Sequence, residues 1–429
     1  MKMVSASIFL ILIHLGILSY AEIYSLKTFL RQSLQYSRDM EVENANLKRM
    51  DYVIAEQRSA FLPEVNASVQ YTTLGPSERR QNAYNQSVNG TSTKINLNQN
   101  LFNGLKDVNA LESAKHSRQA QYYKVQEIRQ RKIESALALY FKLLQVQKDI
   151  ENQNQEILLY EKNLNEMKAR TRSGSLRPSE VLNLEAAVAN ARIDLNTFEN
   201  NLKLAQAEAA TTLRLSDPQV VVVSFAKFSF SYEQTKSLVD KMDLARRDDL
   251  KSLTYSVQAK EENIEVQKGS YLPTLDLSGS YLVNSSDDFA QSNTYSASIV
   301  LSIPFPVSVK KSSELAKSRA EKAVAESEAK RKKEDLMKEK NQLVQSLQNN
   351  IKQIELLKKA KELNRKNVDA MGRDHRGGVV SYSDVLNASI TYQKTLQKYD
   401  RALLDFELSC YLVLLWSADV EELISGIED

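Results

Sequence analysis

The sequence holds one cysteine, seven prolines, eleven glycines and three histidines in 429 residues, and each scarcity removes a class of protein. A single cysteine, Cys410, forbids an intramolecular disulfide, so a small stapled secreted domain is excluded. Three histidines, His14, His116 and His375, stand in no grouping of nucleophile, base and orienting residue. No phosphate-cradling loop or metal-ligand spacing accompanies them. Charge of one sign is also missing: Lys plus Arg exceed Asp plus Glu by only 57 − 54 = 3, which gives no footing for nucleic acid. No apolar run reaches the roughly 20 residues that a helix needs to cross a bilayer. These absences point away from an enzyme and from any cofactor.

The first 21 residues join Lys2 to a mostly apolar run from Ile8 to Leu18 and end on Ser19 and Ala21, the small residues a signal peptidase reads. Residues 1 to 21 are therefore read as an export signal, with the mature chain starting at Glu22. No cysteine lies there to carry a lipid.

Glycine and proline leave three long tracts without breakers, residues 105 to 173, 179 to 217 and 307 to 371. In the first, a heptad template through Val108 and Leu111 finds apolar residues at 13 of 18 seam positions, and at 9 of 10 from Ala136 to Met167, with Gln153 the exception. In the second, Val181, Leu184, Val188, Ala191, Leu195, Phe198, Leu202, Ala205 and Ala209 keep the same spacing without a miss. Side chains about 3.5 residues apart hold one seam against a partner helix, so these tracts predict long coiled-coil-like helices. The first, at ~1.5 Å per residue, is roughly 100 Å long. Leu137, Tyr140, Leu144 and Leu158 predict a second buried stripe on it, and Tyr392, Tyr399, Phe406 and Cys410 read as core.

Four shorter segments have period two. Residues 64–72 alternate Val65, Ala67, Val69 and Tyr71 with Glu64, Asn66, Ser68, Gln70 and Thr72, and strands at 94–102, 274–283 and 295–305 follow the same rule. Lengths near ten residues suit tilted strands that cross a bilayer with one face toward lipid. The polar joining segments, 73 to 92 and 284 to 294, are expected to face the outside.

The chain is a duplication. "FLPEVNASVQY" from Phe61 matches "YLPTLDLSGSY" from Tyr271 at an offset of 210, and "RSGSLRPSEVLN" (172–183) matches "RGGVVSYSDVLN" (376–387) at 204. Each half runs helix, strand, strand, long helix, turn, helix. The first repeat spans 22–213, a connector 214–246, the second repeat 247–416 and a C-terminal tail 417–429. Pro178 with Ser179, and Ser383 before Asp384, mark the two helix starts as possible caps. His375 reads as an exposed turn residue. Four strands are too few to close a barrel, which needs about eight, so copies must associate, and three give 3 × 4 = 12.

The doubled order of elements, the Leu-Pro strand entries, "NLFNG" after the second strand, and the paired turns leading to "SEVLN" and "SDVLN" resemble the TolC-type outer membrane efflux channel family, the outer membrane factors, over essentially the whole mature chain. The resemblance implies an α+β membrane protein, a homotrimer joining a 12-stranded outer membrane barrel to a periplasmic helical barrel. It implies a passive conduit for efflux or type I secretion, with a periplasmic adaptor, an inner membrane pump and outer membrane lipid as partners. It places Arg172, Gly174, Ser179, Arg376, Gly378 and Ser383 at an adaptor-docking tip. Asp374, Asp384 and Asn387 are the entrance candidates; where family members with an aspartate ring carry a carboxylate three residues past the second turn's acid, this chain has the amide of Asn387. The competing reading is an exported coiled-coil scaffold or adhesin without a pore, which would not require the strands.

Overall fold

The protein is represented by a computed structural model that describes residues 22–73, 89–172, 177–218, 221–224, 230, 232–240, 242–286, 292–305, 308–417 and 420–427. The export signal, Gly174, the hairpin connections 74–88 and 287–291, and parts of the connector lie outside the described residues. In chain order the elements are β1 (Glu22–Tyr24), α1 (Leu26–Gln35), α2 (Arg38–Ser59), β2 (Glu64–Thr73), β3 (Asn89–Asn103), α3 (Lys106–Arg172) and α4 (Pro178–Leu213). They continue with β4 (Val221–Val223), α5 (Tyr232–Asp240), a 3-10 turn, α6 (Asp248–Gly269), β5 (Thr274–Ser286), β6 (Ser292–Ser302), α7 (Val309–Arg376), α8 (Tyr382–Ser417) and α9 (Val420–Gly426).

Helix limits follow the breakers. Pro178 occupies the first turn of α4, where a missing N–H costs nothing. Arg214, at φ 55°, closes that helix in the left-handed region. The 67 residues of α3 and the 68 of α7 run without a glycine until Gly372, near the end of α7. No described helix is long and apolar enough to cross a membrane.

Two compact units cut across the duplication, each taking segments from both halves. One comprises residues Glu41–Glu127 and Ala245–Asp335. It holds a four-stranded antiparallel sheet in the order β2-β3-β5-β6, so β2 and β6 are its edges. The strands outrun their expected limits except at the end of β6, which stops at Ser302 rather than 305 because Pro304 has no N–H to give the ladder. Residues 89–92, 284–286 and 292–294, expected in joining loops, are paired strand, as in Thr91↔Ser285 and Asn284↔Ser292. Below the sheet Ser113 donates to the Ala259 carbonyl at 3.0 Å and Ser252 to that of Ala120 at 2.8 Å, tying α3 to α6.

The other unit comprises Met1–Met40, Ile128–Leu244 and Leu336–Asp429. Its main core gathers Tyr24, Phe29, Leu30, Ile133, Leu137, Tyr140, Leu143 and Leu213. Aromatic edges order it: Phe29 meets Tyr140 at 5.5 Å between centroids, and the Tyr140 hydroxyl donates to the Ser224 carbonyl at 2.8 Å. Two segments read as peripheral are built into this core. β1 pairs in parallel with β4 of the connector, Tyr24 opposite Val223. The expected C-terminal tail forms α9, with Leu423, Ile424 and Ile427 buried.

The heptad seams are the buried ones. Ala136, Leu139, Leu143, Val146, Ile157, Tyr160 and Met167 on α3 are buried, as are Leu184, Val188, Ala191, Ala205 and Ala209 on α4. Gln153, the break in the pattern, is buried as well and donates to Glu156 at 3.1 Å. Leu158 departs from expectation: it is 67% exposed, because the second stripe of α3 is covered only as far as Leu144.

Candidate functional site

Two features stand out, a sheet with unlike faces and the meeting of the starts of α4 and α8. The register of the sheet sorts its residues because side chains directly opposite in an antiparallel pair share a face. One face carries Val65 and Leu97 opposite each other, Ala67 and Ile95, Ile95 and Tyr281, Tyr281 and Tyr295, Leu277 and Ile299, and Leu275 and Leu301. The other carries Asn66 with Asn96, Asn98 with Ser278, and Ser280 with Ser296. A bulge between Asn100 and Phe102 shifts the register, so that Phe102 rather than Leu101 stands opposite Leu275. Polar groups on the second face bond each other: Asn100 donates to Asp276 at 2.7 Å, and the hydroxyls of Ser278 and Ser298 lie 2.7 Å apart.

The apolar face is bare in the single chain: Val69 is 72% exposed and Tyr295 86%. A folded chain that leaves so much apolar surface open needs a nonaqueous neighbour. Both edges of the sheet also present unpaired backbone groups.

The helix turns lie in the second unit. α7 ends in a tight closure in which the Gly377, Gly378 and Val379 amides donate to the carbonyls of Arg373, His375 and Asp374. Gly378, at φ 77°, takes the left-handed conformation that this closure needs. α8 then starts on a capping box: the Ser381 hydroxyl accepts from the Asp384 amide at 3.3 Å, while the Asp384 carboxylate accepts from the Ser381 amide at 3.0 Å and hydroxyl at 2.7 Å. The cap is thus Ser381, not Ser383, and in the first half the N-cap of α4 is Arg177, not Ser179, and makes no side-chain capping bond. The S-x-x-D spacing of "SYSD" was the legible signal for this cap.

The two turns are joined. The Glu180 carboxylate accepts from the Tyr382 amide at 3.3 Å and the Asn183 amide donates to the Ser383 hydroxyl at 3.2 Å, so Ser383 serves as a link. Tyr382 lies in a buried cluster with Tyr160, Met167, Leu184 and Leu386. Burial pushes its hydroxyl up to about 12; an Asn163 hydrogen bond opposes this and the Glu166 charge adds to it, so the ring stays neutral. His375 is half-buried rather than exposed, with Nδ1 3.1 Å from the Val380 carbonyl and its ring edge-on to Tyr382 at 5.5 Å. Periodicity could not single out Glu180, Asn183 and Tyr382, because their role depends on two turns 204 residues apart in sequence meeting in space.

Of the remaining candidates, Arg172 and Arg376 are the last residues of α3 and α7 and are exposed, as is Ser179. Asp374, Asp384 and Asn387 are exposed too, but the carboxylate of Asp384 is committed to its cap. No grouping of His, Cys, Asp and Glu able to hold a metal occurs among the described residues.

Comparison with known proteins agrees with these features. The sequence matches the family described as outer membrane efflux protein over residues 29–213 and 241–407, well over half of the chain. No curated relative matches the sequence. Among solved structures, the chain is similar to the outer membrane protein VceC of Vibrio cholerae, with 16% identity over 91% of this chain and 94% of that one and a TM-score of 0.78. It is similar also to the CmeC outer membrane channel of Campylobacter jejuni, at 14% identity, 94% and 90% coverage and a TM-score of 0.73. The open-state MtrE outer membrane channel of Neisseria gonorrhoeae gives 12% identity, 92% and 89% coverage and a TM-score of 0.73. With its duplicated α+β fold and with the family profile matched in both halves, the chain belongs to the outer membrane efflux protein family.

Proposed function

We propose that three copies of this chain form a passive conduit from periplasm to exterior, in which the sheets close a 12-stranded barrel and the helices continue it into the periplasm. The observation that carries this reading is the sheet itself: one face apolar and bare, the other polar, with both edges open. In hydrocarbon each unpaired backbone group costs several kcal/mol, so the β2 and β6 edges must find partners. Pairing β6 of one copy with β2 of the next satisfies both and turns the polar face inward. The detergent-solubilised protein is expected to be a trimer by native mass measurement; a stable monomer or dimer would refute the closure. A pore-free scaffold leaves the unlike faces without a purpose.

The conduit performs no catalysis in this reading, and transport draws its energy from an inner membrane pump reached through a periplasmic adaptor. The end of the helices where the starts of α4 and α8 meet, with Gly378 beside it, serves as the adaptor-docking end, with Arg172 and Arg376 as exposed charge and Gly174 in the corresponding turn of the first half by sequence. A Cβ at Gly378 would meet nothing within 4 Å, so a bulky residue there carries only the strain of its positive φ, about 1–2 kcal/mol. Replacing Gly378 and Gly174 with tryptophan is expected to abolish efflux while the amount of membrane-inserted trimer, read on unheated gels, stays normal. Trimer lost in proportion to efflux would make the turns structural only.

A further inference from the structure

Between α3, α4 and α8, in the unit that holds the helix turns, lies a cleft of about 380 Å³. Its floor comes from α3, where Gln153, Glu156 and Tyr160 are only 2%, 8% and 2% exposed. Spacings of three and four residues set these polar groups on one side of the helix. The Tyr160 hydroxyl donates to Glu156 Oε1 at 2.6 Å and the Gln153 amide to Oε2 at 3.1 Å. Burial, and next the bond to Glu156, push the ionisation of the Tyr160 hydroxyl upward, so the proton stays on the tyrosine. Both oxygens of Glu156 therefore accept, as those of an ionised carboxylate do, and each keeps a further acceptor site. Both partners are neutral, and Glu156 makes no ion pair among the described residues. A charge buried among neutral donors alone recovers little of what it lost on leaving water, so the site favours an added cation.

The walls of the cleft are largely apolar. Ala187 and Ala191 of α4, one turn apart, leave space that larger side chains would fill, and Phe198 of α4 with Leu386 and Ile390 of α8 line the remainder. Two further charges, Asp194 and Lys394, are exposed and make no ion pair among the described residues. They balance each other, so the unanswered charge of the cleft is that of Glu156.

We infer that this cleft binds a protonated organic amine with a compact apolar body, the ammonium donating to Glu156 and the body lying against Phe198, Leu386 and Ile390. A bare metal ion fits poorly, because Glu156 is the one buried carboxylate among the lining residues. A neutral solute would leave its charge unanswered. The volume stands at the small end of the roughly 300–1,000 Å³ of ordinary ligand pockets, which limits the body to a single ring or short chain. The conduit reading names no such ligand, and the inference does not rest on that reading, since binding needs neither pump nor adaptor.

The test is calorimetric titration of the detergent-solubilised protein with phenylbutylammonium and with phenylbutanol, its neutral analogue. The amine is expected to bind about 10- to 100-fold more tightly than the alcohol, the worth of a charge-assisted hydrogen bond. That comparison needs no variant. Glu156→Gln should abolish the preference and leave the weak binding of the alcohol; both proteins sit in the same micelles, so partition into detergent cancels. Ala187→Phe should weaken both ligands by filling the cleft. Lys394→Met addresses the chain's own ammonium as the occupant: unchanged amine binding supports an external ligand, whereas binding that appears only in this variant would overturn the proposal. So would equal affinity for amine and alcohol, or amine binding indifferent to Glu156→Gln or to Ala187→Phe. Absence of binding, the result if a neighbouring copy covers the cleft, would overturn it too.

Discussion

Gly104→Ala is expected to remove most of the folded protein from the outer membrane. A Cβ on Gly104 would lie 2.3 Å from the Gly269 carbonyl oxygen and 2.9 Å from the Leu272 side chain, and one on Gly269 would lie 2.4 Å from the Gly104 carbonyl. The two backbones cross in contact where β3 hands over to α3 and where α6 ends before β5, so neither can withdraw without displacing a strand. Overpacking of this kind costs roughly 1–3 kcal/mol, and Gly104 also sits at φ 59°, which adds about 1–2 kcal/mol for a residue with a Cβ. Gly279→Ala is the control. Its Cβ would come no closer than 3.9 Å to the Ser296 carbonyl, so folded protein should remain near normal. Quantifying the unheated folded band for both variants checks the argument, which fails if the two behave alike.

Asp249→Asn is expected to destabilise the protein by about 3–5 kcal/mol at neutral pH, the usual consequence of removing one member of a buried ion pair. The carboxylate is buried and holds Arg247 at 2.9 and 3.2 Å and Lys332 at 3.1 Å, while accepting from the Leu250 amide at 3.0 Å. Burial alone would raise its pKa, but Arg247 and then Lys332 outweigh burial and hold it below the usual carboxylate range. A carboxylate with a depressed folded pKa contributes stability that is complete above its unfolded value of about 3.9 and is lost as pH falls through the lower folded value. Thermal unfolding should therefore separate the two proteins widely at pH 7 and progressively less below about pH 4. A gap that persists unchanged under strong acid would show that the loss comes from packing rather than charge.

Much of this molecule was legible because its elements are long and its patterns simple. A stretch such as Val181 to Ala209 has no breaker and a seam without a miss, and nothing but a packed helix satisfies it. Alternation from Glu64 to Tyr71 is equally direct, since a one-residue slip would exchange the two faces entirely. What alternation could not reveal was how the four strands align in register, with Val65 opposite Leu97, Ile95 opposite Tyr281 and Leu275 opposite Leu301, or that a bulge sets Phe102 rather than Leu101 opposite Leu275.

Local pattern failed where the deciding partner is remote or small. Glu22 to Tyr24 and Val221 to Val223 are too short to read as strands, and each becomes one only through the other. The last residues looked like a tail because α9 is brief, yet Leu423 and Ile424 fill the core beside Tyr24 and Leu213. His375 read as an exposed turn residue; it is half-buried against Val380 and Tyr382 of its own turn, while Tyr382 is buried among Tyr160, Met167 and Leu184 from the first half.

By itself, then, the sequence determined the class of the protein: the export signal it predicts, the doubled order of elements, the lengths of the helices and the unlike faces of the strands all follow from spacing within one segment at a time. Only the tertiary structure decided which backbones cross at Gly104 and Gly269, and which carboxylates are already engaged at Asp249 and Asp384. The reason is physical. Periodicity reports how a segment divides its own surface between water and something else, whereas contact, burial and charge pairing depend on what folding brings to that surface from elsewhere in the chain.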